Sequence, residues 1–239
     1  MSFLSAIFGS PKMNDILITD VTRMQGDRVC VAGVRGKDAV RLAEPAPTDS
    51  MLVSLGGLTP GDVVRVDARP VRRYRPPHTE DHSWLPSTVT KMDSLDGARI
   101  HDRLAATALP SIAKAFGKVK YFSTRGNPVF PPDRGNRSLA TVAARDIRIY
   151  QLGDGIRADF ADAAGEWRML PVEGLAIRAH FARCGTCSRS GEISIPEALL
   201  RVGLTRPFKP DDQELGCFAQ VNSVITPSAG IDLHQGAQQ

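Results

Sequence analysis

The sequence carries none of the short signatures that mark the common nucleotide-hydrolysing, acyl-transfer and redox folds. It has no Gly-x-x-x-x-Gly-Lys-Ser/Thr phosphate loop, no Gly-x-Ser-x-Gly elbow, no Gly-x-Gly-x-x-Gly fingerprint and no His-Glu-x-x-His pair. Serine, histidine and aspartate are present, but nothing in their spacing places them together. Cysteine is scarce. Cys30, Cys184, Cys187 and Cys217 are too few and too unevenly spaced for a secreted disulfide framework, so a reducing cytoplasm is the expected location. No stretch approaches the ~20 apolar residues of a membrane span, and the opening MSFLSAI has no basic n-region, so neither a membrane partner nor a signal peptide is expected. Lysine is sparse too: arginine supplies 23 of the 30 basic residues.

That last imbalance says something about partners. Guanidinium suits phosphates and carboxylates, so a net charge of +4 carried by arginine fits a nucleic-acid ligand, as it also fits an ordinary solvated surface. A chain of 239 residues with 42% hydrophobic content can bury a core as one domain or two.

From Ile16 the apolar residues alternate in short runs: Ile16 and Ile18, Val29 and Val31, Val40 and Leu42, then Val64, Val66 and Ala68. Turns at Gln25-Gly26-Asp27, Gly36-Lys37 and Pro60-Gly61-Asp62 separate them, which predicts an antiparallel meander. Arg65, Asp67 and Arg69 alternate with the apolar face of the last run and make one side of the sheet charged. Over 94–117 the period changes to four. Ile100, Leu104, Ala108, Ile112 and Phe116 predict a helix with Ser94 or Asp96 as cap, Gly117 as stop and a kink or split at Pro110. A proline- and glycine-rich bridge, 123–138, leads to a second set of alternating runs, with Asp162-Ala163-Ala164-Gly165 as a hairpin turn.

Two sets of about five short strands around a helix predict a mainly β chain of two tandem OB-like small barrels, although periodicity alone fits other small barrels or a sandwich equally. The expected layout is a flexible leader (1–12), a first barrel (13–93), a connecting helix (94–117), a second barrel with a Cys-x-x-Cys loop (118–228) and a flexible tail (229–239). Five short motifs then carry a resemblance. Ile18-Thr19-Asp20-Val21-Thr22-Arg23-Met24, Arg28-Val29-Cys30-Val31-Ala32-Gly33, Pro77-His78-Thr79-Glu80-Asp81, Val202-Gly203-Leu204-Thr205-Arg206-Pro207-Phe208 and Gln220-Val221-Asn222 together resemble the prokaryotic dual OB domain-containing proteins. The resemblance spans residues 16 to about 226. It implies tandem OB units, nucleic-acid binding and an association with bacterial defence systems, and it brings no catalytic residues.

The densest polar stretch is Arg72-Arg73-Tyr74-Arg75-Pro76-Pro77-His78-Thr79-Glu80-Asp81-His82-Ser83-Trp84. Three readings compete for it. As a binding loop, Arg72, Arg73 and Arg75 contact phosphates, Tyr74 and Trp84 stack on bases, and His78 and Thr79 reach a sugar or base edge. As a structural lock, Glu80 and Asp81 cap backbone amides or pair with arginines. As a metal site, an extended His78-Glu80-His82 would project three ligands to one side, with Asp81 opposite, for a metal-dependent enzyme acting on nucleotides or nucleic acid. Further arginines, Arg125, Arg134 and Arg137, lie in the bridge, and Arg65 and Arg69 on the charged strand would extend the same basic groove. Elsewhere His180-Phe181-Ala182-Arg183-Cys184-Gly185-Thr186-Cys187 holds half of a zinc knuckle. Cys184, Cys187 and His180 are thus the candidate ligands of a structural zinc, while the leading expectation is that the protein carries no cofactor. The expectation is a non-enzymatic binder of DNA or RNA that assists a helicase or nuclease partner. A metal-dependent enzyme and a protein-interaction scaffold are the alternatives.

Overall fold

The computed structural model describes residues 13–184 and 192–227, with the side chain of residue 184 outside that description. The predicted leader and tail, and Cys187, therefore lie outside the described residues. Among the described residues the chain is mainly β, with four short α-helices.

The first barrel contains β1 (Met13–Arg23), β2 (Val29–Arg35), β3 (Asp38–Glu44), β4 (Asp62–Pro70) and β5 (Asp81–Trp84), with β6 (Thr90–Ser94) added outside β4. Its strand order is β1-β2-β3-β5-β4, and β1 also pairs with β4, which closes the sheet on itself. One long strand serves both neighbours because it bends. Residues 13–17 pair with β4, residues 17–23 pair with β2, and a bulge lies between Ile18 and Asp20. The β2–β3 hairpin turns on Gly36 at φ 62°, a backbone region that costs glycine nothing. Unlike the simple meander expected, β3 pairs with β5 in parallel. Helix α1 (Asp49–Ser54), capped by Thr48, occupies the connection between β3 and β4 and buries Leu52 in the barrel core.

The second unit comprises β7 (Tyr121–Phe122), β8 (Pro128–Phe130), β9 (Leu139–Leu152), β10 (Gly155–Asp162), β11 (Gly165–Pro171), β12 (Glu192–Leu204) and β13 (Cys217–Ile225), with α4 (Leu175–Cys184) between β11 and β12. Its sheet order is β11-β10-β9-β12-β13-β8-β7, a half-barrel. A parallel bridge between Val172 and Val221, and a bond from Glu173 N to Val221 O at 2.9 Å, draw the free edge beside β11 toward β13. The connectivity of the first barrel is thereby repeated: meander, helix, then two more strands.

Between the units the 94–117 stretch forms two helices. Asp96 caps α2 (Gly97–Ala105) by accepting from Arg99 N, and Ser111 caps α3 (Ile112–Phe116) by accepting from Lys114 N, with Pro110 in the break. Ile100 and Leu104 of α2 join Leu17 and Val34 of the first barrel and Leu199 and Ile225 of the second in one buried cluster. Each such side chain stabilises the contact by roughly 1.5–3 kcal/mol, so α2 holds the two units together.

Candidate nucleic-acid interface

The segment 72–84 divides into two parts with opposite fates. Arg72, Arg73, Tyr74 and Arg75 are exposed on the loop between β4 and β5, Tyr74 by 56%. No ion pair engages these three arginines among the described residues. His78, Glu80, Asp81, His82 and Trp84 are buried.

The buried part fastens the two units together. Glu80 Oε1 accepts from the backbone amides of Ser138 (2.7 Å) and Leu139 (3.0 Å), and its Oε2 accepts from Ser138 Oγ at 3.0 Å. Asp81 stands opposite Arg41 across the parallel β3–β5 pair and accepts from Arg41 Nη1 at 2.9 Å, while Arg206 Nη2 approaches its other oxygen at 2.6 Å. Arg41 Nη2 also donates to Ser138 Oγ at 2.9 Å. A second buried pair lies along the same seam: Arg201 Nη2 on β12 donates to Asp20 Oδ2 on β1 at 2.9 Å, and Arg201 Nη1 donates to Thr141 Oγ1 at 3.0 Å.

This arrangement corrects part of the sequence reading. Trp84 offers no stacking face, because its ring belongs to the first core and its Nε1 donates to Pro45 O at 2.8 Å. His78 is 1% exposed, with its Nδ1 facing Arg41 Nη1 at 3.1 Å, and reaches no sugar or base on the open surface. The metal geometry proposed for His78, Glu80 and His82 does not form: Glu80 is committed to Ser138 and Leu139, and His82 Nδ1 turns to Glu80 O. Among the described residues no three His, Cys, Asp or Glu side chains group to hold a metal ion. His180 packs edge-on against Phe181 on α4, whereas Cys187 and the Cys184 side chain fall outside the described residues. Of the predicted groove, Arg65 is spent on Asp15 at 2.7 Å and Arg69 on Asp67 at 3.2 Å.

The bridge arginines separate. Thr79 Oγ1 donates to Asn136 O at 2.6 Å, and Pro77 lies against Gly135, so the loop bearing Arg134 and Arg137 adjoins the β4–β5 loop. Arg125 sits on the turn joining β7 to β8. Arg41, Asp20 and Arg201 were not singled out as site residues. For Asp20 and Arg201 the signal is a lone charge inside a largely apolar run, Ile18-Thr19-Asp20-Val21 and Leu199-Leu200-Arg201-Val202, of opposite sign in the two halves.

Burial together with Arg41 and Arg206 pushes the His78 imidazole down to about 3 from its ordinary 6.5. The unfolded chain takes up this proton below about pH 6.5 and the folded chain refuses it until about 3, so stability present above 6.5 is lost as pH falls through that window. A His78→Asn variant is expected to lose less stability than wild type between those two pH values in urea titrations. Equal losses would remove the burial account of His78.

On the other side of the seam, the β1–β2 loop, the β2–β3 face and the segment after β12 enclose a cleft of about 640 Å³. The five motifs behind the family resemblance, separate in sequence, all reach this cleft or the seam beside it: Arg23, Cys30, His78, Arg206 and Gln220 each line it. These features define a protein of two tandem OB-like barrels with a buried ionic seam. No family model matches the chain, and no curated protein is significantly similar to it. Among solved structures, the p204 HINb domain is 14% identical with a TM-score of 0.35, covering 89% of this chain and 96% of that one. A murine DNA binding protein bound to double-stranded DNA is 10% identical with a TM-score of 0.31, covering 89% and 99%. The tetrameric p202 HIN2 is 10% identical with a TM-score of 0.31, covering 87% and 91%. Likeness at this level carries nothing about function or site.

Proposed function

We propose that the protein binds nucleic acid through the loop between β4 and β5 and the adjoining bridge loop. One observation carries this reading. The cations of the β4 strand and of the seam are paired with carboxylates, while Arg72, Arg73 and Arg75 stand exposed and unpaired among the described residues. OB barrels take oligonucleotides on the β2–β3 face and the flanking β1–β2 and β4–β5 loops, a likeness of fold and therefore an analogy. Tyr74 adds an exposed ring on which a base can stack, worth about 1–3 kcal/mol and indifferent to sequence. Arg134 and Arg137 extend the positive surface, and both DNA and RNA remain within its chemistry.

The finer reading rests on the family resemblance alone: a non-enzymatic accessory or adaptor beside a helicase or nuclease in a bacterial defence system. Commitment of Glu80 and Asp81 to the seam supports a binding role for this region over a catalytic one. Fluorescence anisotropy at low salt with single-stranded and duplex DNA and RNA tests the binding. Binding that weakens steeply with salt is expected; no binding at low salt, or binding indifferent to salt, refutes the proposal.

A further inference from the structure

The cleft between the units has the chemistry of a ligand site. Its volume of about 640 Å³ lies within the ~300–1,000 Å³ of small-molecule sites, which favour domain junctions. Among the described residues four arginines line it, Arg23, Arg28, Arg41 and Arg206, and no carboxylate does. Arg41 and Arg206 are committed to the seam through Asp81, whereas Arg23 and Arg28 are exposed at the two ends of the β1–β2 loop and form no ion pair among the described residues, Arg23 lying near Glu173. The cleft therefore selects an anion.

Its floor selects something flat and polar as well. Gln220 and Asn222, two apart on β13, face the same side of the sheet. Gln220 Nε2 donates to Asn222 Oδ1 at 2.9 Å, which orients both amides. Gln220 Oε1 is left as an acceptor and Asn222 Nδ2 as a donor, both unspent among the described residues. Asn222 is only 3% exposed, and glycine at 203 is what admits it, since a Cβ there would stand 2.6 Å from Asn222 Nδ2. A donor beside an acceptor is the pattern an amide side chain presents to the edge of a nucleobase. The walls near this pair are apolar: Leu204, Pro47 and Phe208, whose ring stacks on Phe218 with centroids 4.5 Å apart and remains 47% exposed.

We propose that the cleft holds one nucleotide unit, its base against Gln220 and Asn222 and its phosphate on Arg23 and Arg28. This deepens the nucleic-acid reading, because the unit can arrive as a free mononucleotide or as an unpaired base of a strand held by the β4–β5 loop.

Calorimetric titration with AMP, GMP, CMP and UMP, with inorganic phosphate as competitor, tests it. At least one monophosphate is expected to bind. Its Kd should rise tenfold or more in Ala43→Trp, which fills the cleft, and in Arg23→Glu/Arg28→Glu, and should not move in Arg103→Glu, an exposed charge on α2 away from the cleft. The Arg23/Arg28 variant alters exposed side chains and serves even if the tryptophan variant misfolds. Absence of binding by every monophosphate, phosphate competing as well as nucleotide, or cleft variants that bind as wild type does would overturn the proposal. Displacement of the nucleotide by a single-stranded 20-mer identifies the strand as the source; simultaneous binding identifies the free nucleotide. A protein that binds a monophosphate but no strand retains this site and loses the nucleic-acid reading, and the reverse result does the opposite.

Discussion

Replacing Arg201 with methionine should lower the unfolding free energy by roughly 3–5 kcal/mol, the cost of leaving a buried charge without its partner. The side chains of Arg201 and Asp20 are 2% and 0% exposed, so water cannot take over when one is removed. Among the described residues Asp20 would keep only the hydroxyl of Thr19, at 3.2 Å, as a side-chain donor. The pair joins β1 to β12 across 181 residues of sequence, so the loss is felt by both units at once. The double variant Arg201→Met/Asp20→Val should recover most of that stability, because two apolar side chains no longer demand a partner. Urea denaturation gives the values. A single-variant loss under about 1 kcal/mol would show that the pair is solvated or its geometry loose.

The largest effect on binding is expected from Arg72→Glu/Arg73→Glu/Arg75→Glu. Reversing three exposed charges replaces three phosphate contacts with three repulsions, and affinity for single-stranded nucleic acid should fall by well over tenfold at low salt. Stability should stay within about 0.5 kcal/mol of wild type, since these arginines hold no carboxylate in place among the described residues. Arg65→Gln/Arg69→Gln is the informative contrast. Asp15 and Asp67 already neutralise those charges, so that variant should change affinity far less.

Much of the architecture could be read from local patterns. Alternation at Ile16, Ile18, Val64 and Val66 marks strands, and Asp96, Pro110 and Gly117 mark the ends and the break of the helical stretch, because period and caps act over a few residues. The parallel pairing of β3 with β5 could not be read, since no short-range signal separates it from a meander. The polar cluster at 78–82 was visible, but its role was not. A carboxylate that caps Ser138 and Leu139 from 58 and 59 residues away looks in sequence like one waiting for a metal. Only the partner decides, and the partner comes from the other unit. The same holds for Trp84, whose ring reads as a stacking platform until the barrel closes around it.

The most direct measurement is the salt dependence of single-strand affinity in wild type and in Arg72→Gln/Arg73→Gln/Arg75→Gln. Each phosphate contact contributes about 0.7 to the slope of log K against log salt for single strands, so the neutralised variant should be flatter by about 2. Equal slopes in the two proteins, or no binding by wild type at low salt, would contradict the account.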